Sequence, residues 1–164
     1  GDSTSNFIFD MNIMLDCVIE EYIEKASKIN GLQKAVKFAK EHRAVGLGIL
    51  GFHSHLQKNL IPFGSLESYQ ANHKIFSKLK KESDLASQWM AKNWGEPEIM
   101  KGYGFRNSTR LAQAPTKSTS FIMNNVSEGI DTITSNYNET KKAKIQVEFK
   151  NGELVNLLDR LGNR

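Results

Sequence analysis

Pro115 constrains the fold of this chain more than any other residue. Its ring locks its own φ and pushes Ala114 out of the helical region, so the extended run Arg106-Asn107-Ser108-Thr109-Arg110-Leu111-Ala112-Gln113-Ala114 must end there. The next residues, Thr116-Lys117-Ser118-Thr119-Ser120, form a hydroxyl-rich cluster of the kind that opens a helix. Thr116, Ser118, Thr119 and Ser120 are candidate caps, and the backbone N–H groups of a first helical turn carry the positive end of the helix dipole. Such an end suits an anion, and Lys117 adds a full positive charge. Two readings stand on local chemistry alone. The hydroxyls serve only the helix, or the loop binds an anion.

A chain of 164 residues is long enough for one domain with a core of its own, and residues 1–164 read as a single segment. A net charge of +4 suits an anionic partner. The charges are interspersed, however: Lys78, Lys80 and Lys81 are followed at once by Glu82 and Asp84, which describes a solvated helix face better than a nucleic-acid track. The single cysteine, Cys17, excludes an internal disulfide and any CxxC motif. With Val18 and Ile19 beside it, Cys17 is expected to be a small buried hydrophobe in a reducing, cytoplasmic setting. No apolar run approaches the roughly 20 residues needed to cross a bilayer, so no membrane association is expected. The start, Gly1-Asp2-Ser3-Thr4-Ser5, is no signal peptide, and without an initiator methionine the chain is expected to begin inside a longer protein.

Helical periodicity dominates. Over residues 6–28 the apolar side chains Phe7, Met11, Met14, Leu15, Val18, Ile19, Tyr22 and Ile23 recur at helical spacing, and Asn30-Gly31 supplies a stop. A second helix over 32–42 places Leu32, Ala35, Val36 and Ala39 on one face. Residues 43–49 are short, apolar and glycine-spaced, as in a buried strand. A third helix spans 51–59. A fourth runs from Ser65 to Trp94, with Leu66, Tyr69, His73, Phe76, Leu79, Leu85 and Trp89 as its expected buried stripe, and Gly95-Glu96-Pro97 closes it. Asn124-Asn125-Val126-Ser127-Glu128-Gly129 reads as a turn. Ile145-Gln146-Val147-Glu148-Phe149 alternates like a half-buried strand, and a short helix is expected over 153–161. The expected class is α/β and predominantly helical.

Gly46-Leu47-Gly48-Ile49-Leu50-Gly51 is a literal G-x-G-x-x-G, but only Ala44 and Val45 precede it as strand, too little for a dinucleotide fold. Close packing of an extended segment against a neighbour explains these glycines better. His53 and His55, two apart, point to different faces of a helix, and no Cys or carboxylate set completes a metal site.

Three stretches, taken in order, resemble the large (alpha) subunit of ribonucleotide reductase. They are His42-Arg43-Ala44-Val45-Gly46-Leu47-Gly48-Ile49-Leu50-Gly51-Phe52-His53-Ser54, then Gly104-Phe105-Arg106-Asn107-Ser108 through Pro115-Thr116-Lys117-Ser118-Thr119-Ser120, and then Ser127-Glu128-Gly129-Ile130-Asp131 with Thr134-Ser135-Asn136. Each motif alone is short. The ordered set is specific, although the family's Ile-Glu-Pro stands here as Ile130-Asp131-Thr132.

The resemblance implies a partial segment, the C-terminal half, of a ten-stranded α/β barrel, and an enzyme that reduces ribonucleotides to deoxyribonucleotides by radical chemistry. It implies that Pro115, Thr116, Lys117, Ser118, Thr119 and Ser120 bind the substrate's phosphates. Cys17 fits none of the family's catalytic cysteine positions, so no catalytic residue, metal or cofactor is expected within 1–164, and the chain alone is expected to be inactive. The implied partners are a ribonucleotide substrate, the remainder of the large subunit and a radical-generating small subunit or cofactor, with the complete protein a homo-oligomer. The alternative is a small basic helical module that binds nucleic acid or a partner protein.

Overall fold

The computed structural model describes residues 6–133, 137–142 and 145–150, the last two segments by backbone alone. The expected helix over 153–161 lies outside the described residues, as do Thr134, Ser135 and Asn136. The chain divides into two compact units, one of residues 1–47 and 74–112, the other of 48–73 and 113–164.

The first unit contains α1 (Phe7–Ala26), α2 (Gln33–His42) and most of α4 (Leu66–Trp94). Ile23 and Ala26 of α1 pack on Val36 of α2, with Ile19, Leu32 and Ala39 around them. The inward face of α1 is the expected apolar one only in its second half, where Ile19 and Ile23 pack inward. Asn12, Asp16, Ile23 and Ala26 are buried, whereas Phe7, Met14, Val18 and Tyr22 are exposed. Cys17 is exposed too, correcting the expectation of a buried thiol. The reason is pairing: Asp16 and Asn12 find buried partners across the unit, so the face that carries them turns inward.

The stripe of α4 is corrected in the same way. Leu66, Tyr69, His73, Leu85 and Trp89 are exposed; Leu79, Ser83, Ala86, Ser87 and Met90 are buried. Small serines let neighbouring side chains and backbone come close and accept their hydrogen bonds. Ser83 Oγ accepts from Asn12 Nδ2 at 2.9 Å, and Ser87 Oγ accepts the N–H groups of Arg106 and Asn107 at 3.1 and 3.0 Å. Helix α4 ends as expected at Gly95, whose φ of +88° a side chain would resist.

The expected strands over 43–49 and 105–114 are extended segments joined by one parallel bridge, Leu47 to Leu111. Val45 and Leu47 donate to the carbonyls of Thr109 and Arg110, and Ala112 donates back to Leu47. The Thr109 hydroxyl takes the Val45 carbonyl at 2.9 Å, a place that a backbone donor would fill in a regular ladder. Gly46 faces Ala112, with room for no side chain.

The second unit holds α3 (Phe52–Lys58), residues 66–73 of α4, α5 (Ser118–Ile122) and the strands β1 (Tyr137–Lys142) and β2 (Ile145–Lys150). The two strands pair antiparallel, in register from Tyr137 opposite Lys150 to Lys142 opposite Ile145, so β2 falls where the alternating pattern places it. The turn before them has Asn124 and Asn125 at φ +69° and +53°, left-handed positions that asparagine tolerates. No described helix is long and apolar enough to cross a membrane.

Candidate functional site

The candidate loop and the segments that hold it lie within the second unit. Gly51 and Phe52 donate their N–H groups to the carbonyls of Ser127 and Gly129 at 2.8 and 3.1 Å. Ser127 N–H donates to Ser54 Oγ at 2.9 Å, Ser54 N–H donates to Ser127 Oγ at 3.4 Å, and both serines are buried. The Glu128 carbonyl accepts from both the N–H and the hydroxyl of Thr116, each at 2.9 Å. Gln113 pairs with the Ile49 backbone as a strand would, its Oε1 accepting the N–H at 3.0 Å and its Nε2 donating to the carbonyl at 2.7 Å. The residues 51–54, 113–120 and 127–129 are thereby tied into one hydrogen-bonded assembly.

Within it, the six expected site residues divide. Pro115 is exposed at the entry to the loop. Thr116 and Ser120 are structural ties: Thr116 is held by Glu128, and Ser120, only 1% exposed, donates its hydroxyl to the Lys117 carbonyl at 2.7 Å. Ser118 and Thr119 are exposed, and their hydroxyls have no partner among the described residues. The expected capping by hydroxyls is corrected, because Lys117 holds the N-cap position and no side chain caps the helix. A five-residue helix that starts from Lys117 at φ +51°, ψ −123° leaves Thr116 one residue too early and Ser120 already inside the first turn. That backbone conformation is unusual for a residue with a Cβ, and Lys117 keeps it while its Nζ sits 3.2 Å from a Glu128 carboxylate oxygen.

His53 lies on α3 in the same unit. Burial pushes its imidazole below the ordinary value, and its Nδ1 accepts the Ile133 N–H at 3.1 Å. That hydrogen bond requires an unprotonated Nδ1, with the ring edge-on to Phe63. No group of three His, Cys, Asp or Glu among the described residues is placed to hold a metal ion.

Sequence reasoning missed a second polar assembly, in the first unit. Asp16, 1% exposed, accepts from Arg43 Nε and Nη2, from Arg106 Nε and from Asn107 Nδ2, each at 2.9 Å. Burial pushes the Asp16 carboxyl up, but the hydrogen bonds and charges of Arg43 and Arg106 outweigh it and hold the group below the usual carboxylate range. Arg106 also donates to the carbonyls of Trp94 and Gly95, satisfying the C-terminal end of α4. One aspartate among the five acidic residues of α1 carries no signal of this. Arg43, Arg106 and Asn107, all within the stretches that resemble the reductase family, were the visible half of it.

Two of the five lysines of α4 pair along the helix itself, Lys78 with Glu82 at 3.6 Å and Lys80 with Asp84 at 2.6 Å.

A family model described as ribonucleotide reductase, barrel domain, matches residues 10–100 and 96–164. The chain belongs to this family. The reductase large subunit of Invertebrate iridescent virus 6 is 38% identical over 130 residues, covering 79% of this chain and 13% of the viral protein. That of Invertebrate iridescent virus 3 is 33% identical over 134 residues, covering 82% of this chain and 21% of its own length. Among solved structures, the class Id ribonucleotide reductase alpha subunit of Actinobacillus ureae superposes with a TM-score of 0.85 at 43% identity, over 97% of this chain and 29% of that one. The chain is thus similar to part of a reductase large subunit and spans about a fifth or less of the viral relatives' length.

Proposed function

We propose that this chain is part of the large subunit of a ribonucleotide reductase, within which residues 1–164 form one segment of the ten-stranded α/β barrel. The complete enzyme reduces ribonucleotides to deoxyribonucleotides by radical chemistry, in the cytoplasm, as a homo-oligomer served by a radical-generating small subunit or cofactor. Cys17 matches none of the family's catalytic cysteine positions, so on this reading the reacting thiols and the radical source belong to other parts of the enzyme. The isolated chain is inactive.

The role of this segment is to scaffold and to bind substrate phosphates through Pro115–Ser120. One observation carries the reading: the recurrent segments at 51–54, 115–120 and 127–129 hydrogen-bond to one another and leave the loop's polar tip open. Thr116 and Ser120 fix the loop. Ser118 and Thr119 offer free hydroxyls, and Lys117 offers charge, a donor set suited to a diphosphate.

The test is Ser118→Ala/Thr119→Ala in the complete large subunit. Loss of two charge-assisted hydrogen bonds, about 1–3 kcal/mol in all, lowers kcat/KM roughly ten- to hundredfold at unchanged thermal stability. Unchanged kinetics in the folded variant would show that these hydroxyls do not meet substrate.

A further inference from the structure

Glu128 grips the candidate loop twice. Its backbone carbonyl accepts both the N–H and the hydroxyl of Thr116, and its carboxylate lies 3.2 Å from the Lys117 Nζ. The first contact is structural and independent of charge. The second places an anion on the only cation that the loop 115–120 offers. Both side chains stand in solvent, Lys117 at 76% and Glu128 at 41% exposure, so the pair is weak and exchangeable. A carboxylate on a flexible stem, seated on the lysine of a loop that otherwise presents unpartnered hydroxyls, has the character of a resident competitor.

We infer that Glu128 is an internal competitor for Lys117: its carboxylate neutralises the loop's cation when no substrate is present, and substrate phosphate displaces it and pairs with Lys117. The inference rests on the reading of Pro115–Ser120 as the phosphate loop and adds to it two specificity-determining side chains. Displacement favours ligands of high charge density. A nucleotide phosphate exchanges one carboxylate for several phosphate oxygens and more negative charge, whereas a nucleoside brings no anion to the lysine. Glu128 thus raises the threshold of phosphate charge that the site accepts. Were Glu128 instead to orient Lys117 toward substrate, its removal would raise KM, the opposite sign.

The experiment uses the complete reductase with a ribonucleoside diphosphate as substrate, comparing KM and kcat of the parent, Glu128→Gln, Lys117→Ala and the double variant at low and high potassium chloride. Glutamine keeps the backbone carbonyl that holds Thr116, so the fold is preserved, and thermal unfolding checks this. Competition predicts that Glu128→Gln lowers KM about two- to fivefold at low salt with kcat unchanged, the range expected of an exposed ion pair. It predicts that Lys117→Ala raises KM, and that Glu128→Gln lowers KM less, or not at all, in that background. High salt shrinks every one of these differences. A KM that rises or stays constant in Glu128→Gln, or an equal fall with and without Lys117, overturns the inference. Ser118→Ala/Thr119→Ala, run alongside, separates the two failures. If that variant loses activity and Glu128→Gln is silent, only the competitor role falls; if it is neutral, the phosphate loop and the competitor fall together.

Discussion

A Cβ built on Gly46 would lie 2.6 Å from the Cβ of Ala112, closer than real side-chain carbons approach. These two residues flank the parallel bridge between Leu47 and Leu111, so the contact sets how near the two extended segments run. Gly46→Ala is therefore expected to force the segments apart and cost about 1–3 kcal/mol, read as a lowered denaturant midpoint. Retained stability would mean that the pairing is looser than the contact implies. Gly46→Ala/Ala112→Gly relieves the clash and recovers part of the loss.

Asp16→Asn strands Arg43, whose side chain is only 7% exposed and keeps Glu20 as its sole anionic partner at 2.7 Å. Breaking a buried pair from one side is expected to cost about 3 kcal/mol, far more than any exposed pair of α1 such as Glu21 with Lys25. Urea unfolding at neutral pH measures it, and a loss below about 1 kcal/mol would contradict the burial of the cluster.

The same aspartate gives stability an acid limb. Its carboxyl is held below the ordinary value in the folded chain, as is that of Asp84 beside Lys80 and Arg110. Each carboxylate binds a proton less readily when folded than when unfolded. Their contribution is therefore complete above the unfolded pKa of about 4 and is lost as the pH falls through the depressed folded values. Unfolding midpoints taken downward from pH ~5 should fall, and Asp16→Asn should flatten that limb.

His53 acts in the same direction at higher pH. Burial lowers its folded pKa, so the unfolded chain takes up a proton first as the pH drops. Stability should be fully expressed above about pH 6.5 and should decline below it as the unfolded imidazole charges. His53→Gln should remove this step from a plot of melting temperature against pH. A step that persists would assign it to another group.

Cys17 stands in solvent on α1, so Cys17→Ser should change unfolding free energy by less than about 0.5 kcal/mol and leave turnover of the complete enzyme intact. Abolished turnover in a folded variant would place a reacting thiol within this chain.

Local chemistry marked the ends of elements. Gly95 stops α4 and Pro115 ends the extended run because each acts on its own φ, and Asn124 and Asn125 turn the chain through left-handed positions that asparagine tolerates. The three recurrent segments were legible as a set, and with them the family. On α2 the expected face holds, with Val36 buried and Leu32 and Ala39 packed beside it, whereas tertiary structure decided which side of α1 and α4 faces in. Helical spacing nominated Phe7, Met14, Val18, Leu66 and Trp89, yet the buried positions went to Asn12, Asp16, Ser83 and Ser87. Periodicity reports that a helix has faces, whereas burial of a polar side chain depends on partners supplied from far along the chain, here Arg43, Arg106 and Asn107. The candidate loop follows the same rule. Its hydroxyls were plain in the sequence, but Ser118 and Thr119 came to face outward, while Thr116 is held by the distant Glu128 carbonyl and Ser120 turns back locally onto the Lys117 carbonyl.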